Sequence, residues 1–217
     1  NTVEISEFAN DILRHGDFAV YPVQPIIRHG AAVRVEKQPD ATALLEETVH
    51  TIRKWQQDGY ETIAVICREE KEAAELAEQL KSYMEIVDCN PGTTEFGDGV
   101  MVLSVAYTKG LEFDAVLLYD PTQKKYPADN GHVKLLYVAA TRALHELVVL
   151  YHGNLSRILT DPVSKEKKQK VFAAETLTKA KEYEKKDAKR AVQKAEGERK
   201  GIAARISRYE ASCKDSA

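Results

Sequence analysis

The sequence predicts an α/β fold: a mostly parallel sheet with helices on both faces and a helical tail. Two observations carry this. Short apolar runs alternate along the chain with segments of helical period. Those runs, TIAVIC at 62–67 and LVVL at 147–150 among them, are apolar at consecutive positions rather than at every second one. Strands buried on both faces need that pattern.

The elements follow in order. Residues 3–15 place Ile5, Phe8, Ile12 and Leu13 on one helical stripe, which Gly16 ends. Two prolines make 21–25 extended or turning. Residues 32–36 alternate and predict a strand. Asp40 can cap the next helix, with Leu44, Leu45, Val49, Ile52 and Trp55 on one face and Gly59 at its end. After the strand at 62–67, a helix is predicted over 69–83 with Ala73, Leu76, Ala77 and Leu80 inward. Residues 90–99 are turn-rich. Strands are predicted at 100–106, 115–119 and 146–151, and a helix at 131–142. In such sheets ligands bind at the carboxyl ends of the strands, and the two segments discussed below are expected there.

The net charge of −3 is unevenly spread. From residue 165 onward there are 16 Lys+Arg and 9 Asp+Glu, whereas the first 164 residues hold 15 basic and 25 acidic side chains. This divides the chain into a domain over 1–160 and a basic, Lys/Glu/Ala-rich helical extension over 161–217. The extension can either neutralise phosphates or present a solvated face. Its few aromatics, Phe172, Tyr183 and Tyr209, make a base-stacking platform a poor fit. No apolar run reaches the roughly 20 residues needed to span a bilayer, and no signal pattern opens the chain. A cytoplasmic protein is expected, without membrane contact. Cys67, Cys89 and Cys213 lack CxxC spacing, and the six histidines lack metal-ligand spacing, so no metal site is predicted. The chain opens at Asn1 already in helical pattern and is expected to be part of a longer protein.

Two segments carry chemistry. In SVAYTKGLEFD at 104–114, Gly110 permits close backbone approach to a phosphate or sugar, Glu112 can accept from ribose hydroxyls, and Lys109 brings a positive charge. Leu111 and Phe113 are expected to face the core. In KLLYVAATRALHELVVLY at 134–151, Arg142 stands among small and apolar residues and needs a partner. A phosphoryl group between two domains is one such partner; a carboxylate such as Asp114 or Glu112 is the other. No GxxxxGK[ST] phosphate cradle accompanies either segment. Together they read as one wall of an ATP site.

These segments resemble motifs V and VI of superfamily 1 helicases of the UvrD/Rep/PcrA type, in KGLEF and in LLYVAATRA. Residues 62–69 (TIAVICRE) and 2–13 are similar to other parts of the same second RecA-like domain. The resemblance covers roughly residues 2–155. It implies a C-terminal motor domain that contributes Arg142 to the γ-phosphate as an arginine finger, and Gly110, Glu112 and Lys109 to the nucleotide. ATP and Mg²⁺ are implied cofactors, shared with an N-terminal P-loop domain. Alone, the chain is expected to hydrolyse no ATP. Ala106 stands where the family has a DNA-touching His, and Tyr107 and Thr108 replace the small residues usual after it. With the short connection between the motifs, this wording looks most like the HelD-type factors that recycle RNA polymerase. The implied partners are therefore RNA polymerase or DNA, with Ala106, Tyr107 and Thr108 facing nucleic acid. The alternative is a non-catalytic module that binds RNA polymerase or DNA on a RecA-like scaffold.

Overall fold

A computed structural model describes residues 1–17, 28–87 and 97–160. The elements are α1 (Val3–Leu13), β1 (Arg34–Gln38), α2 (Ala41–Gln57), β2 (Thr62–Cys67), α3 (Glu70–Leu80), β3 (Gly99–Ser104), β4 (Phe113–Tyr119), α4 (Asn130–Ala140), β5 (Ala143–His152) and α5 (Arg157–Thr160). The five strands form one sheet in the order β1-β5-β4-β2-β3, and every pairing is parallel. The chain divides into two units, Asn1–Lys168 and Gln169–Ala217. The predicted helical extension, and the turns predicted at 21–25 and over most of 90–99, lie outside the described residues.

The consecutive apolar residues of the strands explain the layers. Ile63, Val65 and Cys67 of β2 pack with Leu44, Ile52 and Trp55 of α2 and with Leu76 and Leu80 of α3. Ala64 and Ile66, pointing the other way, join Ile5, Ala9 and Ile12 of α1 and Leu136 and Ala139 of α4. Strands β2, β3, β4 and β5 thus each feed two cores, one per face, while the edge strand β1 stays partly exposed. Trp55 is fully buried, and its indole N–H donates to Glu146 Oε2 at 2.7 Å. A buried indole donor needs such a partner.

The helix ends follow their capping residues. Asp40 accepts from the Ala43 N–H at 2.9 Å, and Asp129 accepts from His132 N–H at 3.0 Å. Each oxygen satisfies one of the donors that a helix start leaves open. α3 stops at Leu80, three residues short of the predicted end, and continues as turns. Strand β3 ends at Ser104, and Ala106 falls in a 3-10 turn rather than in the predicted strand.

Candidate nucleotide-facing site

After β3 the backbone tightens into the 3-10 turn Val105–Thr108. Lys109 then adopts φ −63°, ψ 120°, and Gly110 adopts φ 83°. The Leu111 N–H donates to the Thr108 carbonyl at 3.1 Å. These angles and this bond define a type II turn over 108–111, with glycine at the position that requires positive φ. A Cβ on Gly110 would meet nothing within 4 Å. The backbone conformation, not crowding, therefore selects glycine here.

The turn aims the Leu111 carbonyl at Arg142, which follows the α4 C-cap residue Thr141. The half-buried guanidinium donates from Nη1 to Leu111 O at 2.9 Å, from Nε to Val138 O at 3.0 Å and from Nη2 to Thr141 Oγ1 at 3.2 Å. All three acceptors are neutral. A guanidinium has five N–H donors, so two remain. Among the described residues no carboxylate pairs with it. Asp114 is engaged elsewhere, by the Glu61 and Thr62 N–H groups at 3.1 and 2.9 Å and the Thr62 hydroxyl at 3.0 Å. Glu112 stands exposed. The arrangement fits an anion: a fixed positive charge, partly removed from water, with donors to offer.

Lys109, Gly110 and Glu112 are exposed beside this arginine's anchor, and Ala106 and Tyr107 are exposed on the 3-10 turn. Leu111 is half-buried and Phe113 fully buried. Thr108 corrects the expectation of a nucleic-acid-facing side chain. It has no exposed surface, and its hydroxyl donates inward to the Val105 carbonyl at 2.9 Å.

The position of the site is also a correction. Glu112 immediately precedes β4 and Arg142 immediately precedes β5, and the Phe113 N–H donates to the Arg142 carbonyl at 2.9 Å. Arg142 and the end of the 104–114 segment therefore meet at the amino ends of the strands, not the carboxyl ends. Strand β5 is bulged directly after Arg142: two steps on β4, from Phe113 to Ala115, match three on β5, from Ala143 to Glu146. Such a bulge re-aims side chains. Here His145 stacks on Tyr60 with ring centroids 5.9 Å apart, and Glu146 accepts from Trp55 beside it.

At the carboxyl edge, where a ligand was expected, an ion network follows β4. Asp120 follows β4 with φ 50° and is almost fully buried. Its Oδ2 accepts from Lys125 Nζ at 2.5 Å and its Oδ1 from the His152 N–H at 3.0 Å. Lys125 also pairs with Glu72 of α3. His152 Nδ1 lies 3.0 Å from Asp120 Oδ1 but outside hydrogen-bonding geometry. Burial lowers the Lys125 pKa, but its bonds to Asp120 and Glu72 outweigh that and hold it above the ordinary lysine value.

Residues 99–150 match the family model described as the UvrD-like helicase C-terminal domain. That stretch spans β3 to β5 and contains every residue of the site. Over that stretch the chain is similar to the C-terminal domains of UvrD-like helicases. A solved structure agrees: the C-terminal domain of a possible DNA helicase from Lactobacillus plantarum WCFS1. It is 25% identical, with a TM-score of 0.61, over 76% of this chain and 93% of that one. The chain is also 26% identical over 170 residues to a ribonuclease HII from Aeropyrum pernix, covering 78% of this chain and 74% of that protein. Among the described residues no group of three or more His, Cys, Asp or Glu side chains could hold a metal ion, and no helix is long and apolar enough to cross a membrane.

Sequence reasoning singled out Arg142 and Gly110 by their motifs. It missed the carbonyls of Leu111 and Val138 and the hydroxyl of Thr141, because acceptors on the main chain leave no mark in a sequence. It also missed that Asp114 staples the start of β4 to the start of β2. Burial raises the Asp114 pKa, but the hydrogen bonds from Thr62 and Glu61 prevail and hold it below 3.8. A folded pKa below the unfolded one gives stability that is present above the unfolded value and lost as pH falls through the folded one. Acid titration of the domain's denaturation midpoint is expected to show this. The Asp114→Asn variant should lose less stability than wild type between about pH 5 and pH 2, and parallel curves would count against the staple.

Proposed function

We propose that this chain is the C-terminal motor domain of an ATP-dependent UvrD-like helicase or translocase, and that its target is RNA polymerase. One observation supports the nucleotide role above the others. Arg142 is oriented by neutral acceptors, is free of any carboxylate among the described residues, and retains two donors. A structural ion pair would have had a carboxylate in that place.

In this reading ATP lies between this domain and a P-loop domain, whose residues would hold the Mg²⁺ that neutralises phosphate charge. The protein's own part is specific. Arg142 directs its remaining N–H groups at the γ-phosphoryl oxygens, where charge spreads in the transition state. The type II turn keeps the Leu111 carbonyl in place, so the guanidinium needs no reorganisation when the domains close. Glu112 and Lys109, exposed on either side of Gly110, reach the ribose and phosphates. Closure on ATP and opening after hydrolysis is a hinge motion driven by the ligand.

Two features favour RNA polymerase over plain strand translocation. The wording of the two motifs is similar to HelD-type factors. Ala106 sits exposed where a DNA-touching His would stand, and its methyl offers no donor to a phosphate or base. ATPase assays of the complete motor, with single-stranded DNA and RNA polymerase supplied separately, test this. Stimulation by RNA polymerase with little response to DNA is expected. Strong stimulation by DNA alone would make the protein an ordinary helicase. Turnover absent under every condition would favour a non-catalytic scaffold that binds polymerase or DNA.

A further inference from the structure

We infer that Thr141 is the positioning residue for Arg142, holding the guanidinium in an orientation that leaves one donor on Nη1 and one on Nη2 for a phosphoryl group. The inference rests on the reading of Arg142 given above and extends it to the residue that sets its aim.

The argument is an account of hydrogens. A threonine hydroxyl has one hydrogen and two lone pairs. The Thr141 hydroxyl donates that hydrogen to the Val138 carbonyl at 3.0 Å. Its rotor is thereby fixed, and a lone pair is what Arg142 Nη2 meets at 3.2 Å. The same Val138 carbonyl accepts from Arg142 Nε at 3.0 Å. Carbonyl, hydroxyl and guanidinium therefore close a small ring at the end of α4. Leu111 O, from the type II turn, holds the opposite nitrogen, Nη1, at 2.9 Å. With Nε, Nη1 and Nη2 each held once, the plane of the guanidinium can neither rotate nor flip.

Thr141 is itself held. It is the C-cap of α4 with φ −74° and ψ −1°, and its carbonyl accepts from the Asn1 side-chain amide at 3.1 Å. That bond does not use the hydroxyl. The hydroxyl's two bonds, to Val138 and to Arg142, both serve the guanidinium's cradle. A threonine in a simple capping role would not need its lone pair turned toward the next residue.

Thr141→Val keeps the shape and removes the hydroxyl; Thr141→Ser keeps the hydroxyl. In the complete motor, Thr141→Val is expected to lower kcat about ten- to hundredfold, the effect of losing one hydrogen bond to a charged group at the reacting centre. KM for ATP should move less, and Thr141→Ser should restore most of the rate. Added to Arg142→Ala, Thr141→Val should change nothing further, because the residue acts only through the arginine. Turnover of Thr141→Val within about twofold of wild type, roughly the additivity error of such cycles, overturns the inference. So does an equal loss in the Arg142→Ala background, or a fall in thermal midpoint that tracks the activity and is not rescued by serine. Wild-type turnover in Arg142→Ala alone overturns the underlying reading of the arginine, and the inference with it.

Discussion

Arg142→Ala is expected to lower ATP turnover of the complete motor by about 10³-fold or more, the range over which an arginine finger acts on a transferring phosphoryl group. The domain should keep its fold. Arg142 is half-buried and makes no ion pair among the described residues, so alanine leaves no unpaired carboxylate behind. It frees the Leu111 carbonyl and a lone pair of the Thr141 hydroxyl at a partly exposed site where water can replace the lost donors, while the Val138 carbonyl keeps its bond from Thr141. That loss costs about 1 kcal/mol. Stability and turnover should therefore separate, and circular dichroism melts alongside ATPase rates will show whether they do. Arg142→Lys is the sharper variant. Lysine keeps the charge but lacks the planar fork that meets Leu111, Val138 and Thr141 at once. Its ammonium would sit nearer one acceptor than another and present a different geometry to the nucleotide. Turnover should stay more than about tenfold below wild type if orientation matters, and should recover if charge alone suffices. Near-normal turnover in Arg142→Ala would end the nucleotide reading.

The sheet and its covering helices were legible because the physics behind them is local. Residues 62–67 could be read to the residue: both faces of that strand are buried, and Gly59 closes the helix before it with φ 87°. Asp40 announced α2 through the oxygen it offers to Ala43. The placement of the site was not legible, and the reason is geometric. A strand of seven residues such as β4 is roughly 20 Å long. Residues 105–112 run from the end of β3 to the start of β4, and so cross that height in eight residues. Nothing in a motif of that length distinguishes a loop that stays at one edge from one that traverses the sheet. The two-residue difference between a strand and a 3-10 turn at 105–106 was hidden for a related reason. Val105 is apolar and buried in either conformation. The bulge after Arg142 is a mismatch between two strands and belongs to neither sequence alone. Thr108 illustrates the limit of motif transfer: its position in the segment suggested a contact surface, while its burial makes it part of the turn's interior.

Asp120 was the least visible of all, since Asp-Pro at the end of a strand reads as an ordinary turn. Yet Asp120→Ala is expected to be the most destabilising single polar change in the described domain, by about 3 kcal/mol, from charged hydrogen bonds and a left-handed backbone combined. Three losses act together. Lys125 loses one of its two carboxylates, and the His152 N–H loses its acceptor beside the end of β5. Alanine must also hold φ near 50°, a region that aspartate tolerates better because its short polar side chain bonds locally. The Asp120 N–H still donates to Leu150 at 2.7 Å and the Thr122 N–H to the Asp120 carbonyl at 2.7 Å, so the backbone cannot relax without breaking the link between β4 and β5. In a unit of this size, 3 kcal/mol corresponds to a drop of roughly 6–12 °C in thermal midpoint. Asp120→Asn separates the contributions. It keeps an acceptor for His152 and the tolerance for positive φ, and removes only the charge facing Lys125. About half the effect should remain. An Asp120→Asn midpoint equal to that of alanine would assign the whole effect to the ion pair. An Asp120→Ala midpoint within about 2 °C of wild type, less than 1 kcal/mol, would mean that the network at the end of β4 does not stabilise the domain.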